Sequence, residues 1–396
     1  MTTRYRSLDD LQIADKRVLV RVDLNVPLDD GRVTDDTRLR ASLPTIQELL
    51  DAGATVVLMS HLGRPKGGPD EAFRMGPVAE RLTELLGTDV RYQPTPGPGS
   101  EAQQAFVQAA PRGSVTLLEN TRFDHREKSN DPSLARILAG YADVYVNDAF
   151  GSAHRAHAST VGVAHLLPSA AGRLMLAEVE ALSRLVDEPD APFVVLLGGA
   201  KVSDKLGVIE SLLGRAHKLL IGGAMAYTFI KAQGGDVGAS KVEDEMLGTA
   251  RDLLERAAAA GSELRLPEDS VCAAAMQSGA STSVHPSDRI PEDLMGLDIG
   301  PSARDSFRAA LQGAKTVFWN GPMGVFEIPE FATGTMDVAA AVADLDAYTV
   351  VGGGDSLAAV SKSGLGDRLS HLSTGGGASL EFLESGELPG LAVLKT

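Results

Sequence analysis

The sequence predicts an α/β protein made of two doubly wound lobes with mainly parallel sheets, and three observations lead to this prediction. Short apolar runs alternate with helical patterns along almost the entire chain. A length of 396 residues, 43% of them hydrophobic, suffices for about two domains, each with its own core. The alternation restarts near residue 191, after a helical segment followed by two prolines. Repeated strand, helix, strand units imply right-handed crossovers and therefore parallel strands.

The first predicted strand is the run RVLVRVDLNV, over residues 17–26. Side chains alternate along a strand, so the valines at even positions face one way and a polar row faces the other, namely Arg21, Asp23 and Asn25. Pro27 ends the pairing of this strand because proline lacks the N–H that a ladder needs. The polar row is either a solvated strand face or part of a binding site, and the run alone does not decide between them.

The remaining elements follow in order along the chain. The helical pattern SLPTIQELLDAG precedes the strands ATVVLMS and SVTLLEN, and DPSLARILAGYADVYVNDAF adds a helix and a further strand. The second lobe repeats the rhythm in APFVVLLGGAK, KLLIGGAMA, KTVFWNGPMG and AYTVVGGGDS. Between the lobes, residues 172–188 have the apolar spacing of a helix, and Pro189 and Pro192 follow. We therefore expect domains over 1–171 and 189–383, joined by a connecting hinge helix over 172–188.

Composition excludes several classes of function. The net charge of −16 opposes binding to nucleic acid or to an anionic membrane through the overall field, so an anion site must be a local basic pocket. Cys272 is the only cysteine, which rules out an internal disulfide, and its apolar neighbours favour a buried structural thiol over a nucleophile. The chain starts without an apolar signal region and has no uncharged apolar run near the ~18 residues of a membrane span. We expect a soluble, cytoplasmic protein.

Basic residues follow successive strands of the first lobe. In open parallel sheets, ligands bind at the carboxyl ends of the strands, which is where these residues are expected. They comprise Arg38, His61, Arg64, Arg122 and Arg155. Each arginine alone is compatible with a surface ion pair, but four of them after successive strands predict a pocket for a small, multiply anionic substrate. His154 and His157 in the same segments are interpreted as structural histidines.

Glycine-rich strand ends mark the second lobe. After Gly198 and Gly199, a helix is expected to carry Lys201 and Lys205 on one face near its N-terminus, where phosphate is attracted. The alternative is a pair of solvated lysines. In VVGGGDS, Gly353 and Gly354 allow close backbone approach.

Two further groups complete this second constellation. Asp355 is expected to supply an oxygen ligand for Mg²⁺, and Ser356 to cap the following helix. Taken alone, this motif slightly favours the alternative that Asp355 or Ser356 is a simple helix cap after a flexible turn. The segment STGGGASLEF repeats the glycine-rich helix start, which indicates a polyphosphate lying between the two. In WNGPMGVFE, the carboxylate of Glu327 could accept ribose hydroxyls, with Pro322 and Val325 lining a base pocket. Trp319 is expected in the core.

Two other functions fit the same rhythm of strands and helices. A dehydrogenase that binds a dinucleotide needs a GxGxxG helix start, which is absent, as are the P-loop, HExxH and GxSxG motifs. A non-catalytic sugar-phosphate binding protein would keep the arginines but would have no use for Lys201, Lys205 and Asp355.

Together the motifs resemble the phosphoglycerate kinase family over essentially the whole chain. RVDLNVPL, SHLGRP, the RF after the third strand, AHRAH, GGAKVSDK, MGLDIGP, WNGPMGVFE, GGGDS and TGGGAS occur in the family's order and spacing. The resemblance implies two Rossmann-like lobes, with a C-terminal tail of about residues 384–396 returning to the first. One departure is FDHREKSND after Arg122, where Asp124 and Arg126 alter the local charge.

The resemblance also implies the roles of particular residues. 3-Phosphoglycerate would be held by Asp23, Asn25, Arg38, His61, Arg64, Arg122 and Arg155. The nucleotide, as ATP or ADP, would be held by Lys201, Lys205, Gly296, Glu327, Gly353, Gly354, Asp355 and Ser356, with Mg²⁺ on Asp355. Arg38 and Lys201 would stabilise the charge on the transferring phosphoryl group. The acceptor carboxylate needs no general base, closure of the lobes would unite the substrates, and a monomer is expected.

Overall fold

A computed structural model describes residues 5–396 and divides the chain into two compact units. The first unit extends to Glu180 and includes the C-terminal segment Glu387–Thr396, and the second comprises Ala181–Gly386. The division falls inside a single helix, which occupies the segment that the sequence predicts as a connecting helix. Each unit contains its own six-stranded sheet and its own core, as the length and the restarting pattern suggest.

The first unit is built on one parallel sheet. Its elements are β1 (Arg17–Val22), β2 (Leu28–Asp29), β3 (Arg32–Val33), α1 (Thr37–Asp51), β4 (Thr55–Met59), α2 (Gly76–Leu86), β5 (Val90–Arg91), α3 (Glu101–Gln108), β6 (Val115–Leu117), α4 (Pro132–Ala139), β7 (Val144–Asp148), β8 (Ser169–Ala171) and α5 (Arg173–Val186). The sheet order is β5-β6-β4-β1-β7-β8, and every pairing in it is parallel.

Strand β1 lies in the interior of this sheet and is buried on both faces. The valines at positions 18, 20 and 22 pack in one apolar cluster, whereas Leu19 packs in another on the opposite side. Arg21 shares the side of Leu19 and is only 1% exposed. The polar row of this strand is therefore not a solvated face, because its first member is buried. Asp23 and Asn25 lie beyond the carboxyl end of the strand.

The second unit has the same plan, with small additional sheets. Its elements are β9 (Phe193–Leu197), α6 (Leu206–Leu212), β10 (Lys218–Ile221), α7 (Met225–Ala232), β11 (Asp236–Val237), α8 (Leu247–Ala259), β12 (Glu263–Arg265), β13 (Asp269–Ala273), β14 (Ser283–Pro286), β15 (Arg289–Ile290), β16 (Met295–Ile299), α9 (Pro301–Leu311), β17 (Thr316–Asn320), α10 (Thr333–Ala343), β18 (Tyr348–Gly352), α11 (Gly354–Ser363), β19 (His371–Ser373) and α12 (Gly377–Ser385). The main sheet, β12-β10-β9-β17-β18-β19, is parallel throughout. Strands β14, β13 and β16 form a small antiparallel sheet.

The predicted α/β class with mainly parallel sheets is thus confirmed, but one expected helix starts later. Lys201 has no regular secondary structure, Lys205 is the residue that flanks the helix, and α6 begins only at Leu206. The expectation that both lysines lie on one helix face is wrong, because the segment between Gly199 and Leu206 forms bends and one turn rather than helix. Trp319 and Cys272 are buried, as expected.

The C-terminal segment packs on the first unit through backbone hydrogen bonds. A last short helix, α13 (Pro389–Ala392), lies in it. The amide of Gly390 donates to the carbonyl of Ala153 at 2.8 Å, and the amide of Arg6 donates to the carbonyl of Leu394 at 2.9 Å. The tail therefore extends the first unit, on the side that contains the loop after β7. Within residues 5–396, no helix is long and apolar enough to cross a membrane.

Candidate functional site

The first unit brings five arginines and one histidine together at the carboxyl edge of its sheet. We call this set the arginine pocket; its members are Arg21, Arg38, His61, Arg64, Arg122 and Arg155. They come from different segments: the end of β1, the first turn of α1, and the loops after β4, β6 and β7. All strands of the sheet are parallel, so their carboxyl ends meet at one edge. The basic residues predicted from the sequence of this lobe do lie near one another. The charge of each of these arginines is close enough to lower the pKa of His61 or of Arg122.

Arg21 is the buried centre of the pocket. Its Nε donates to the Ser159 hydroxyl at 2.9 Å, and its Nη2 contacts Nδ1 of His61 at 3.1 Å and the Ser152 hydroxyl at 3.3 Å. Its Nη1 lies 4.0 Å from the carboxylate of Asp23. These contacts occupy most of the five N–H donors of the guanidinium. Arg21 therefore stabilises the other residues of the pocket and has few donors left for a ligand.

His61 is a neutral hydrogen-bonding group in this pocket. Burial is the main reason that its pKa lies well below the usual value, and the charges of four surrounding arginines add to the effect. The imidazole is 9% exposed. At neutral pH it therefore acts through a hydrogen bond and not through a positive charge.

Arg122 contacts the loop after β4 and lies among like charges. Its Nη1 donates to the carbonyl of Gly63 at 2.6 Å, and its side chain is largely buried. Burial, followed by the charge of Arg155, lowers the pKa of Arg122 to about 10. The guanidinium stays charged at neutral pH. The lowered pKa reflects mainly the cost of burying the charge and then the repulsion from Arg155, and a bound anion would offset both.

The two polar residues after β1 are already hydrogen-bonded within the protein. Oδ1 of Asp23 accepts from the Ser152 hydroxyl at 2.5 Å, and Oδ1 of Asn25 accepts the Gly63 amide at 2.7 Å. Each has further donor or acceptor capacity for a ligand. Arg64 and Arg155 are exposed, and Arg38 is partly exposed in the first turn of α1.

The unusual segment after Arg122 leaves the charge of the pocket nearly unchanged. Arg126 donates from Nε and Nη2 to the two carboxylate oxygens of Asp124, at 2.9 and 2.7 Å. The paired charges cancel, so the departure from the family pattern adds no net charge next to Arg122. His157 is half-buried, and burial lowers its pKa to about 4, which agrees with a structural role.

The second unit contains a cavity of about 320 Å³ at the carboxyl edge of its own sheet. We call it the glycine cavity; its lining comprises Gly198, Gly199, Ala200, Lys201, Asp204, Lys205, Asn320, Gly321, Pro322, Gly353, Gly354, Asp355, Ser356, Gly376, Gly377 and Leu380. The structure thus brings together the two glycine-rich helix starts that the sequence places apart. The helices α11 and α12 begin at this cavity, so their unpaired N–H groups provide phosphate donors.

Glycine is required here because backbones approach closely. A Cβ on Gly198 would lie 2.0 Å from the carbonyl oxygen of Pro322, and a Cβ on Gly321 would lie 2.2 Å from that of Gly198. Gly353 has a φ of +95°, a conformation that other residues rarely adopt. The cavity wall is therefore made of exposed backbone, with few side chains in the way.

Lysine, asparagine and aspartate supply the side chains of the cavity. Nζ of Lys205 donates to the side-chain oxygen of Asn320, and burial lowers the pKa of Lys205. Lys201 and Asp355 are exposed to solvent. Ser356 is not the cap of α11 as expected: its hydroxyl accepts the amide of Gly321 at 2.6 Å and so holds the loop after β17.

The donors fit a magnesium ion that is held mainly by nucleotide phosphates. Mg²⁺ usually takes one or two carboxylates plus phosphate oxygens and water, and Asp355 supplies one exposed carboxylate beside the helix starts. Over residues 5–396 the structure contains no group of three or more His, Cys, Asp or Glu side chains that could hold a metal alone. A site completed by substrate phosphates is consistent with both facts.

Two predicted nucleotide residues lie outside the lining of the glycine cavity. Gly296 is buried on β16, where its amide donates to the Ser240 hydroxyl at 2.9 Å and its Cα packs against Tyr227. Glu327 is exposed after the loop that follows β17. Pro322 lines the cavity, whereas Val325 packs against a small apolar cluster. The roles of Gly296 and Glu327 stay predictions.

Sequence reasoning missed several residues that shape the two sites. Asn320 lines the glycine cavity, although nothing in its sequence context marks it as a binding residue. Ser152, Ser159 and Glu127 hold Arg21 in the arginine pocket. No local signal identifies these three, since serine and glutamate are common in loops and Arg21 lies more than a hundred residues from each of the two serines in sequence.

Comparison with known proteins relates the whole chain to one family. Residues 8–386 match the family model described as phosphoglycerate kinase. The phosphoglycerate kinase of Thermus thermophilus is 58% identical over 391 residues, covering 98% of this chain and 100% of the relative. That of Rubrobacter xylanophilus is 60% identical and covers 98% of both. The solved structure of phosphoglycerate kinase from Coxiella burnetii superposes with a TM-score of 0.88 at 40% identity, over 99% of both chains.

Proposed function

Since the chain belongs to the phosphoglycerate kinase family, we propose that it transfers a phosphoryl group reversibly between 1,3-bisphosphoglycerate and ADP, giving 3-phosphoglycerate and ATP. The activity is that of a phosphotransferase with a carboxyl group as acceptor. One observation carries this proposal: one unit contains a pocket of arginines, and the other contains a cavity lined by glycine-rich helix starts.

The N-terminal domain, residues 1–171 with the tail from about 384, binds the phosphoglycerate in this proposal. Guanidinium groups grip carboxylate and phosphate through paired hydrogen bonds, and the exposed Arg64 and Arg155 have donors available for them. Neutral His61 adds a hydrogen bond, and Arg122 adds a charge. Asp23 and Asn25 contact the hydroxyl of the glycerate and its neighbours.

The C-terminal domain, residues 189–383, binds the nucleotide, and residues 172–188 connect the two domains. The helix starts at Gly354 and Gly377, together with Lys201 and Lys205, hold the phosphates. Asp355 would hold Mg²⁺, which when bound neutralises charge on the phosphates. Gly296 and Glu327 would contact the nucleoside, outside the glycine cavity.

The chemistry needs positioning and charge, and no proton acceptor. The attacking group in the direction that consumes ATP is a carboxylate, which is already ionised at neutral pH. The arginine pocket contains cations and a neutral histidine, which suits this role. We assign Arg38 and Lys201 to the charge that develops on the transferring group. The two substrates bind in different domains, so closure must unite them and exclude water.

A coupled assay tests the function directly. Consumption of ATP should depend on 3-phosphoglycerate and on Mg²⁺, and should stop without either. A dehydrogenase would instead need a nicotinamide cofactor, and a sugar-phosphate binding protein would bind 3-phosphoglycerate without consuming ATP. Either of those results would contradict the proposal. We further propose that the enzyme acts as a monomer in the cytoplasm, which size-exclusion chromatography with light scattering and cell fractionation can check.

A further inference from the structure

We propose that Glu127 is a positioning residue that acts through Ser159 and Arg21 to set the tautomer of His61. The inference rests on the proposed function, because it concerns how His61 meets the anionic substrate. The chain of contacts consists of Glu127, Ser159, Arg21 and His61, in that order. It joins residues from four segments of the first unit. We call it the His61 relay.

The first link joins a buried carboxylate to a serine. Oε1 of Glu127 accepts the Ser159 hydroxyl at 2.5 Å, and its Oε2 accepts the Ser159 amide at 3.0 Å. Glu127 is 1% exposed, so water does not compete for these bonds. Since the hydroxyl hydrogen of Ser159 points to Glu127, the lone pairs of this oxygen remain for another donor.

The second link holds the guanidinium of Arg21. Nε of Arg21 donates to the Ser159 oxygen at 2.9 Å, which fixes the plane of the group. A parallel arm reaches Arg21 through Ser152, whose hydroxyl donates to Asp23. Arg21 thus lies between two serine hydroxyls, each of which donates to a carboxylate. A buried arginine needs such compensation, because an unpaired charge away from water is costly.

The third link determines where the proton of His61 resides. Nη2 of Arg21 lies 3.1 Å from Nδ1 of His61. A guanidinium has donors and no acceptor, so Nδ1 must accept and therefore carries no proton. The ring is neutral because burial and the surrounding arginines lower its pKa well below the usual value. The single ring proton is consequently on Nε2.

The tautomer matters because the other ring nitrogen is the one left for a ligand. Among residues 5–396, no group forms a hydrogen bond with Nε2 of His61. This nitrogen is also not one of the fully buried polar atoms without a partner, so it is open to a ligand. An Nε2–H group donates to a carboxylate or phosphate oxygen, whereas a bare Nε2 would repel it. The relay thus makes neutral His61 a donor, which an anionic ligand requires.

The experiment uses the full chain labelled with ¹⁵N-histidine and compares the wild type with Glu127→Gln. The imidazole ¹⁵N shifts of His61, assigned with a His61→Gln sample, report which nitrogen carries the proton. We expect Nε2–H in the wild type and a mixture of tautomers in the variant, because the amide cannot accept both bonds from Ser159. Calorimetry should show 3-phosphoglycerate binding about 10-fold more weakly, with ATP affinity unchanged.

The matched control is Glu101→Gln, which makes the same change from carboxylate to amide in the first turn of α3. Glu101 is exposed and lies outside the His61 relay, so the tautomer of His61 and the affinity for 3-phosphoglycerate should stay as in the wild type. Should Glu127→Gln fail to fold, Ser159→Ala interrupts the same chain. If both fold, the double variant should lose no more affinity than the larger single loss, since both act through one chain.

Three results would overturn the inference: a wild-type His61 protonated on Nδ1, an unchanged tautomer in both folded variants, or additive losses in the double variant. Failure of the proposed function looks different. In that case the wild type would not consume ATP in the coupled assay with 3-phosphoglycerate, whether or not it binds this acid, while the NMR measurement of the tautomer would still be possible.

Discussion

The arginine pocket and the glycine cavity lie at the carboxyl edges of two similar parallel sheets, yet the pocket is formed mainly by side chains and the cavity mainly by backbone. The pocket consists mainly of long cationic side chains, of which Arg21 and Arg122 are buried, and two serines hold Arg21. The cavity consists of backbone, where close approach leaves no room for a Cβ at Gly198 or Gly321. One site therefore depends on the side chains that are present, and the other depends on those that are absent.

This difference follows from what each site would bind. A small acid with a phosphate offers oxygens in several directions, and forked guanidiniums reach them individually. A polyphosphate chain offers a row of oxygens, which the N–H groups of successive helix starts can meet. We therefore expect that removing side chains weakens ligand binding in the pocket, whereas adding side chains weakens ligand binding in the cavity. The following predictions test this comparison in order of decreasing free-energy change.

The largest effect should come from the two cations that we propose to face the transferring group, one in each unit. Arg38→Ala and Lys201→Ala should each lower kcat by ~10²- to 10³-fold, because each removes a donor aimed at developing charge. Substrate affinities should change much less. Steady-state kinetics with both substrates varied checks this. A variant with nearly normal kcat would show that its cation serves ground-state binding only.

The two units are alike in one respect, because each contains a buried aspartate with a raised pKa. Burial raises the pKa of Asp148, at the end of β7, and of Asp298, on β16, to about 7. A folded-state pKa above the unfolded value near 3.8 means that the folded protein binds more protons between these values. Stability should therefore fall as pH rises from about 4 to 7, and stay level above that.

Asp148→Asn separates the contribution of the first unit. Each fully buried group should account for roughly 2–3 kcal/mol of the loss in unfolding free energy between pH 5 and pH 8. The variant should show a shallower dependence on pH, with the remaining slope due to Asp298. Urea unfolding at a series of pH values measures it, with the exposed Asp293→Asn as control. An unchanged slope would contradict the raised pKa of Asp148.

Adding one methyl group to the wall of the glycine cavity should weaken nucleotide binding selectively. Gly198→Ala places a Cβ 2.0 Å from the Pro322 carbonyl, and overpacking of this kind costs about 1–3 kcal/mol. ATP affinity should fall by roughly 10- to 100-fold, with 3-phosphoglycerate binding retained. Gly248→Ala, on α8 with open space around it, is the matched control and should leave both affinities unchanged.

The smallest effect should come from replacing one buried cation of the arginine pocket by another. Arg122→Lys keeps the charge but loses the forked donors and the bond to the Gly63 carbonyl. We expect 3-phosphoglycerate to bind about 10-fold more weakly while ATP affinity is unchanged, as calorimetry with each ligand alone would show. Equal losses for both ligands would mean that the side chain supports the fold and not the pocket.

Much of the fold and of the sites was predictable because the signals are local. Apolar runs and helical spacing predict the elements, and glycines at strand ends mark the places where backbone approaches a ligand. Basic residues that follow parallel strands converge because the strand ends share an edge. The start of α6 at Leu206 was predicted wrongly, since the residues around Lys201 and Lys205 form bends and one turn that spacing alone does not reveal. Ser356 was predicted as a helix cap, but it bonds to the amide of Gly321.

By itself the sequence determined the α/β class, the family and the positions of the two constellations, because these follow from patterns within short segments. Only the tertiary structure decided how the constellations are held. Arg21 reaches Ser159 across 138 positions, and Lys205 reaches Asn320 across 115. Such partners are chosen by the packing of strands and loops in three dimensions. A buried charge must find its compensation wherever the fold places a polar group, and no local pattern records that choice.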